Sequence, residues 1–313
     1  MIKEEFYFDS RDGENRIHAV RYTPDDGNVR GIVQIVHGMA EYVERYENLA
    51  EFLTKRGILV TGEDHLGHGK SVSEGGSFGY FCEQDPATVV VRDVHRLKKI
   101  TEEQYPQVPY IILGHSMGSF IARNYLCRYG SGIGGAVIVG TGMQSAGLIF
   151  ASKAMAGIQK LFCGSKHVSH FMDKAAFGGY NKRIDSPRTS SDWLSRNTEN
   201  VDRYIEDELC GFTFTVNGFQ TLFELIRRLQ KQENLEKVPQ NLPILMVSGA
   251  EDPVGDYGKG VHKACDSLKR AGVKNITVKL YENDRHELLN EDDAEVAMED
   301  IWQWICKEIP GVA

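Results

Sequence analysis

The 313-residue chain has no cysteine pattern that would staple or chelate. Cys82, Cys127, Cys163, Cys210, Cys265 and Cys306 lie far apart, with no C-x-x-C pair and no Cys/His spacing that would close around a metal. They read as isolated thiols of a reduced compartment. Basic excess is also missing. With 36 Lys and Arg against 44 Asp and Glu, the net charge of -8 leaves no stripe for releasing counterions from nucleic acid and no polybasic patch for anionic lipid. No unbroken apolar run is long enough to cross a bilayer. The opening MIKEEFYFDS is acidic and alternating, unlike the basic head and apolar core of a secretory signal. Internal repeats and low-complexity tracts are absent. The expectation is a cytoplasmic protein with one core and an insertion, its nucleic-acid partners excluded.

What is present is an alternation of short β-rich runs with helical periodicity, the pattern of a mostly parallel α/β sheet. Residues 3 to 9 and 17 to 23 flank the turn signal Arg11-Asp12-Gly13 and predict a hairpin. Six further runs follow: GIVQIVHG (31 to 38), GILVTGED (57 to 64), YIILGHS (110 to 116), GAVIVGTG (135 to 142), PILMVSGAED (243 to 252) and NITVKLYEND (275 to 284). Each of the six runs into Gly, Asp, Ser or His at its C-terminal end, where an open α/β sheet places its ligand site. Helices are predicted at 43 to 56, 86 to 104, 117 to 129, 256 to 272 and 291 to 308.

The spacing fails once. No strand is predicted from about 143 to 240, so residues 143–240 read as a helical cap inserted between core segments 1–142 and 241–313. Within it Leu148, Ala151, Met155, Ile158 and Phe162 recur at helical spacing. The plainer reading packs that face on the sheet domain or the rest of the cap. The sharper one has its neighbours Phe150 and Leu161 touching lipid or lining an acyl tunnel.

The sequence YIILGHSMGS holds a serine between two glycines, with a predicted strand before it and a helix after it. That is the context in which Gly114-x-Ser116-x-Gly118 marks a nucleophile elbow. A strand turning straight into a helix strains the central residue and crowds its flanks, so glycine is needed on both sides. Ser116 is thereby lifted to the sheet top at a helix N-terminus that favours negative charge. A serine hydroxyl needs a base, and the base needs a group to fix its tautomer, in the order Ser, acid, His. His262 and His286 follow a plausible acid. His262 falls inside a predicted helix, whereas His286 sits in the loop past the last strand and is the expected base. Asp252 ends the strand ILMVSGAED before Pro253 and is the expected acid, ahead of its neighbour Glu251 and of Asp284. Two N-H donors should hold the oxyanion: Met117, after the nucleophile, and Met39, in the glycine-bearing turn His37-Gly38-Met39-Ala40-Glu41.

Taken with HGMAEYVERY (37 to 46), DHLGHGKS (64 to 71), VRDV (91 to 94) followed by Tyr105-Pro106, GHSMGS (114 to 119), GAEDPVG (249 to 255) and DRHELLNE (284 to 291), the chain resembles serine hydrolases of the α/β-hydrolase fold. More narrowly, it resembles the monoacylglycerol lipase and lysophospholipase group, related to the serine aminopeptidases. The block DWLSRNTENVDRYIEDELCGFTF (192 to 214) is also similar to bacterial members.

The resemblance implies an eight-stranded sheet and a carboxylic-ester hydrolase that needs no metal or organic cofactor. The implied substrate is a lipid ester with one acyl chain, foremost a monoacylglycerol. It implies that Glu41 and Arg45 frame the polar end of the site, either bonding glycerol hydroxyls or forming a salt bridge that holds the loop. Asp64, His65, His68 and Ser71 match a run that braces the oxyanion loop, and they are not expected to bind metal. Two positions depart from the pattern: Tyr42 stands where His is common, and Ser119 where a second Gly is common. A transient contact of the cap with a membrane or micelle surface is compatible with this reading. Three alternatives remain: a lysophospholipase or general carboxylesterase; an aminopeptidase holding an α-amino group with Glu199, Asp202, Glu206, Asp207 and Glu208; and a non-catalytic binding module. Epoxide hydrolase and dehalogenase chemistry is disfavoured because both use a carboxylate nucleophile.

Overall fold

The Val- and Ile-rich runs pair into one sheet because a strand apolar on both faces must be covered on both faces. A computed structural model of the chain describes residues 1–312. Its strands are β1 Ile2–Asp9, β2 Arg16–Thr23, β3 Gly31–Val36, β4 Ile58–Glu63, β5 Tyr110–His115, β6 Gly135–Val139, β7 Ile244–Gly249 and β8 Ile276–Tyr281. They form an eight-stranded sheet in the order β1-β2-β4-β3-β5-β6-β7-β8. β1 and β2 pair antiparallel, as does β2 with β4, and every later pairing is parallel. This is the α/β-hydrolase fold, mostly parallel and flanked by helices.

The helices are α1 Glu47–Thr54, α2 Pro86–Gln104, α3 Met117–Tyr129, α4 Ala146–Cys163, α5 His170–Phe177, α6 Thr198–Glu206, α7 Val216–Leu229, α8 Gln232–Leu235, α9 Lys259–Arg270 and α10 Ala294–Glu308. Alternation along each strand sorts them into layers. Ile32, Ile112, Ala136 and Met246 face α2, α3 and α9, and α7 joins this core through Phe219, Leu222 and Leu225. Val33, Ile111, Val137 and Leu245 face α1 and α10. Pro86 opens α2 at a position where its missing N-H costs nothing.

Between β6 and β7 lie α4 to α8 and no strand, only an isolated bridge of Val168 with Thr215. Side-chain caps start these helices: Ser145 accepts from Leu148 N-H, Ser169 from Met172, Asn197 from Asn200 and Thr215 from Gly218. Each such cap contributes about 1 kcal/mol.

The expected packing face of α4 is corrected. Leu148, Ile158 and Phe162 are 56%, 61% and 81% exposed, while Ile149 and Ala156 are the buried residues. The helix is apolar on nearly every side, so periodicity offered more than one stripe. Which stripe faces inward is set by its neighbour α7, where Lys153 also pairs with Glu224. Phe150 and Leu161, expected to be exposed, are 77% and 80% exposed.

Candidate active site

At the end of β5 the chain turns directly into α3, and Ser116 stands at the turn with φ 54° and ψ -121°. That backbone is costly for a residue with a side chain, and it is held because the flanks have no room for any other course. A Cβ at Gly114 would lie 2.4 Å from Gly118 O, and one at Gly118 would lie 1.9 Å from Val36 O. The Ser116 N-H is fixed to Val139 O at 3.0 Å.

Asp252 and His286 come together from the loops after β7 and β8. His286 Nδ1 is 3.0 Å from Asp252 Oδ2, and both residues are buried. Val254 N-H donates to Asp252 Oδ1 at 2.8 Å, and Ser248 Oγ donates to Oδ2 at 3.2 Å. With Nδ1-H donating to the carboxylate, the lone pair of His286 lies on Nε2. His262 is on α9 and exposed, and Glu251 is also exposed.

The turn after β3 lies against the serine, since a Cβ at Gly38 would stand 3.1 Å from Ser116 Cβ. Ala40 in this turn has φ 53°. Among the described residues neither Met39 N-H nor Met117 N-H is bonded within the chain. His37 is buried; its Nε2 accepts from His65 N-H at 3.0 Å, so Nδ1 carries the proton and donates to Gly38 O at 2.8 Å. His65 Nε2 donates to His37 O at 3.2 Å. Asp64 accepts from Val43 N-H and Lys70 N-H, each at 2.9 Å, and from His18 Nδ1 at 2.8 Å. Ser71 Oγ donates to Asp64 O. Burial drives His65 well below the usual imidazole range and His68 down to about 3, so both rings are neutral braces of the turn. Among the described residues, Glu5, His18 and Glu44 are the only group close enough to share a metal ion. Lys70 already pairs with both carboxylates there.

Glu41 and Arg45 fall into a buried polar network. Glu41 Oε1 accepts from Gly38 N-H and from Tyr46 OH at 2.7 Å and faces His115 Nδ1 at 3.2 Å. Arg45 bonds both oxygens of Glu287, at 2.7 and 2.8 Å, together with Glu41 and Asn200. Of the two roles expected for Glu41 and Arg45, the geometry supports the salt bridge that holds the loop. Burial opposes ionisation of Glu41, but His115 and Arg45 prevail and hold its carboxyl well below the usual range. Burial likewise lowers His115, and Glu41 more than restores it, so its proton is held above the usual value. His115 Nε2 donates to His286 O at 3.1 Å.

His115, Tyr46, Glu287 and Asn200 were not singled out from the sequence. Glu287 lies within the quoted DRHELLNE, but its partner Arg45 is 242 residues away. Tyr42 OH donates to Asp207 at 2.8 Å, and Asp202 pairs with Arg188, while Glu199, Glu206 and Glu208 are exposed. Asp202 and Asp207 are thus already paired within the protein.

Residues 27–293 match the family model Hydrolase_4, described as serine aminopeptidase, S33. A monoglyceride lipase of Rattus norvegicus is 29% identical over 87% of this chain and 80% of that one. A monoacylglycerol lipase of Mycolicibacterium smegmatis is 27% identical over 92% of each. Among solved structures, a highly thermostable carboxyl esterase from Bacillus coagulans in complex with glycerol superposes with a TM-score of 0.91 at 31% identity, over 98% of this chain and 99% of that one.

Proposed function

The chain belongs to the serine aminopeptidase S33 family of hydrolases, and from that premise we propose that it is a serine carboxylic-ester hydrolase acting on a monoacylglycerol. The observation that carries the reading is the buried His286–Asp252 pair, taken together with a serine held in a strained elbow. Ser116 Oγ attacks the ester carbonyl while His286 Nε2 takes its proton, and Asp252 holds the imidazole tautomer and its developing charge. The oxyanion is met by Met39 and Met117 N-H, both otherwise unbonded, in a site where fixed donors need no reorganisation. His286 returns the proton to the leaving glycerol oxygen. It then activates water, which releases the fatty acid and frees Ser116.

The lipid substrate is supported by the relatives and by α4 and α5, whose Leu148, Phe150, Leu161, Phe162 and Phe171 form an apolar exterior. Set on a micelle or membrane surface, that exterior would take up the substrate where it resides. Among the described residues no helix is long and apolar enough to cross a membrane.

The test is kcat/KM for a monoacylglycerol and a lysophospholipid of the same acyl chain, with Ser116→Ala as blank. Preference for the glycerol ester is expected. Ser116→Ala, Asp252→Asn and His286→Ala should each lower kcat by roughly 10⁴-fold while remaining folded. Full turnover in His286→Ala would overturn the assignment and move the test to His262.

A further inference from the structure

Arg45 and Arg123 are both buried arginines, but they are compensated differently. Arg45 meets the carboxylates of Glu287 and Glu41. Arg123, two turns after Ser116 on α3, is 1% exposed and has no carboxylate partner among the described residues. Its Nη1 donates to Thr141 Oγ1 at 3.2 Å and to Gly142 O at 3.0 Å. Its Nε and Nη2 are buried and find no acceptor. Burial brings the guanidinium down to about 10, which leaves it charged at neutral pH. Cys127, one turn further along, does not supply the missing charge, because burial pushes its thiol up to about 11.

A charge removed from water without a partner is among the costliest arrangements in a fold, so an anion is the natural complement. The surroundings suit one. Gln144 Oε1 is also without a partner, and its side-chain nitrogen lies 3.3 Å from where a Cβ on Gly142 would stand. The oxygen and nitrogen of such an amide are assigned from their partners, so a flip presents a further donor at the Gly142 turn that Arg123 also binds. Because these nitrogens are shut off from solvent, only a small ion could complement them.

We propose that Arg123, together with Gln144, forms an internal site for a small monovalent inorganic anion such as chloride at the C-terminal end of β6. The segment from Gly140 to Gln144 that this ion would hold lies against His286 and reaches the neighbours of Ser116 and Asp252. Ser119 Oγ lies 2.8 Å from Thr141 Oγ1 and 2.5 Å from Ser116 O. A Cβ at Gly140 would stand 3.1 Å from His286 Cε1, and one at Gly142 would stand 2.4 Å from Val254 O, beside Asp252. An ion at Arg123 therefore stiffens the segment that lies against the base and reaches the neighbours of the serine and the acid.

The experiment is a chloride titration of the intact protein at fixed ionic strength, with gluconate as the bulky replacement ion. Thermal unfolding and kcat/KM are read on the same samples. Wild-type Tm should rise saturably, by about 5 °C at ~100 times the Kd, and kcat/KM should rise with the same midpoint. Arg123→Met should show neither dependence, and Arg123→Lys should retain a weaker one. No saturable Tm response in wild type would overturn the site, as would an unchanged response in Arg123→Met. Because Tm requires no turnover, failure of the anion site and failure of the proposed reaction are read separately, and the wild-type titration stands even if a variant does not fold.

Discussion

The helical insertion has two arms that behave as different materials. The first, α4 and α5, exposes large apolar side chains, and α4 packs on α7. The second, from Asp192 to Val216, is joined to the loops that carry the candidate catalytic groups. Arg285 donates to Asp192 O and Ser195 O, and Glu287 N-H donates to Leu194 O. Glu291 accepts from Ser195 Oγ, Arg196 N-H, Asn197 N-H and Arg285 N-H. On the other side Gly211 N-H donates to Ala40 O, and Trp193 lies 5.1 Å from the His286 ring. The second arm is thus tied to the loops of the candidate site, whereas the first leaves its large apolar side chains exposed. A lid that opened as one body would pull His286 and the turn holding Met39 out of place.

The largest effect should come from cutting the seam at Glu287. Glu287→Ala leaves the Arg45 guanidinium buried without its bidentate partner, a loss of about 3–5 kcal/mol, and kcat should fall with it. Chemical denaturation and steady-state kinetics check both, and full stability would break the claim that this arm is tied to those loops. A smaller and opposite signature is expected from Phe150→Ser, Leu161→Ser and Phe162→Ser combined. Stability should change by no more than about 0.5 kcal/mol per site. Turnover of a soluble short-chain ester should persist, while turnover of a monoacylglycerol in vesicles drops about tenfold through lost apolar insertion. Equal loss on both substrates would mean that the first arm also serves the chemistry.

The smallest effect is a pH response confined to the seam. Burial, then Asp293 and Glu291, raise Asp284 to about 7. The folded state therefore binds more protons than the unfolded state between roughly pH 4 and 7, and the stability from this group declines as pH rises through that window. Amide exchange at 283–291, corrected for intrinsic rates, should become faster from acidic to mildly alkaline pH. Asp284→Asn should blunt that change, and α4 should show none of it.

The sequence made some of this legible and hid the rest for physical reasons. The helices over 86 to 104 and 117 to 129 are found with those bounds, because Pro86 and the Gly114–Gly118 elbow punctuate them locally. Motif and chain order proposed Ser116, Asp252 and His286, of which the structure sets the last two in contact. The strand order was not legible, since it depends on pairings between distant segments. The inward face of α4 was hidden because a helix apolar all round defers to its neighbour. Nor did composition flag Arg123, whose peculiarity is the lack of a carboxylate in three dimensions. Ser119, noted only as a departure from the family pattern, proves to bond both Ser116 O and Thr141.

The adjacency of β6 and β7 also bears on how such a protein could acquire its insertion. Ala136 pairs with Ile244, so the sheet closes over more than a hundred residues of intervening chain. Loop-closure entropy grows only with the logarithm of length, and lengthening a connection of about twenty residues to this size costs roughly 1.5 kcal/mol. One buried ion pair such as Arg45–Glu287 outweighs that sum if broken. A sheet of this kind can therefore accept a long inserted segment almost without penalty, and new substrate preferences can be acquired in the insertion while the hydrolytic core is left as it stands.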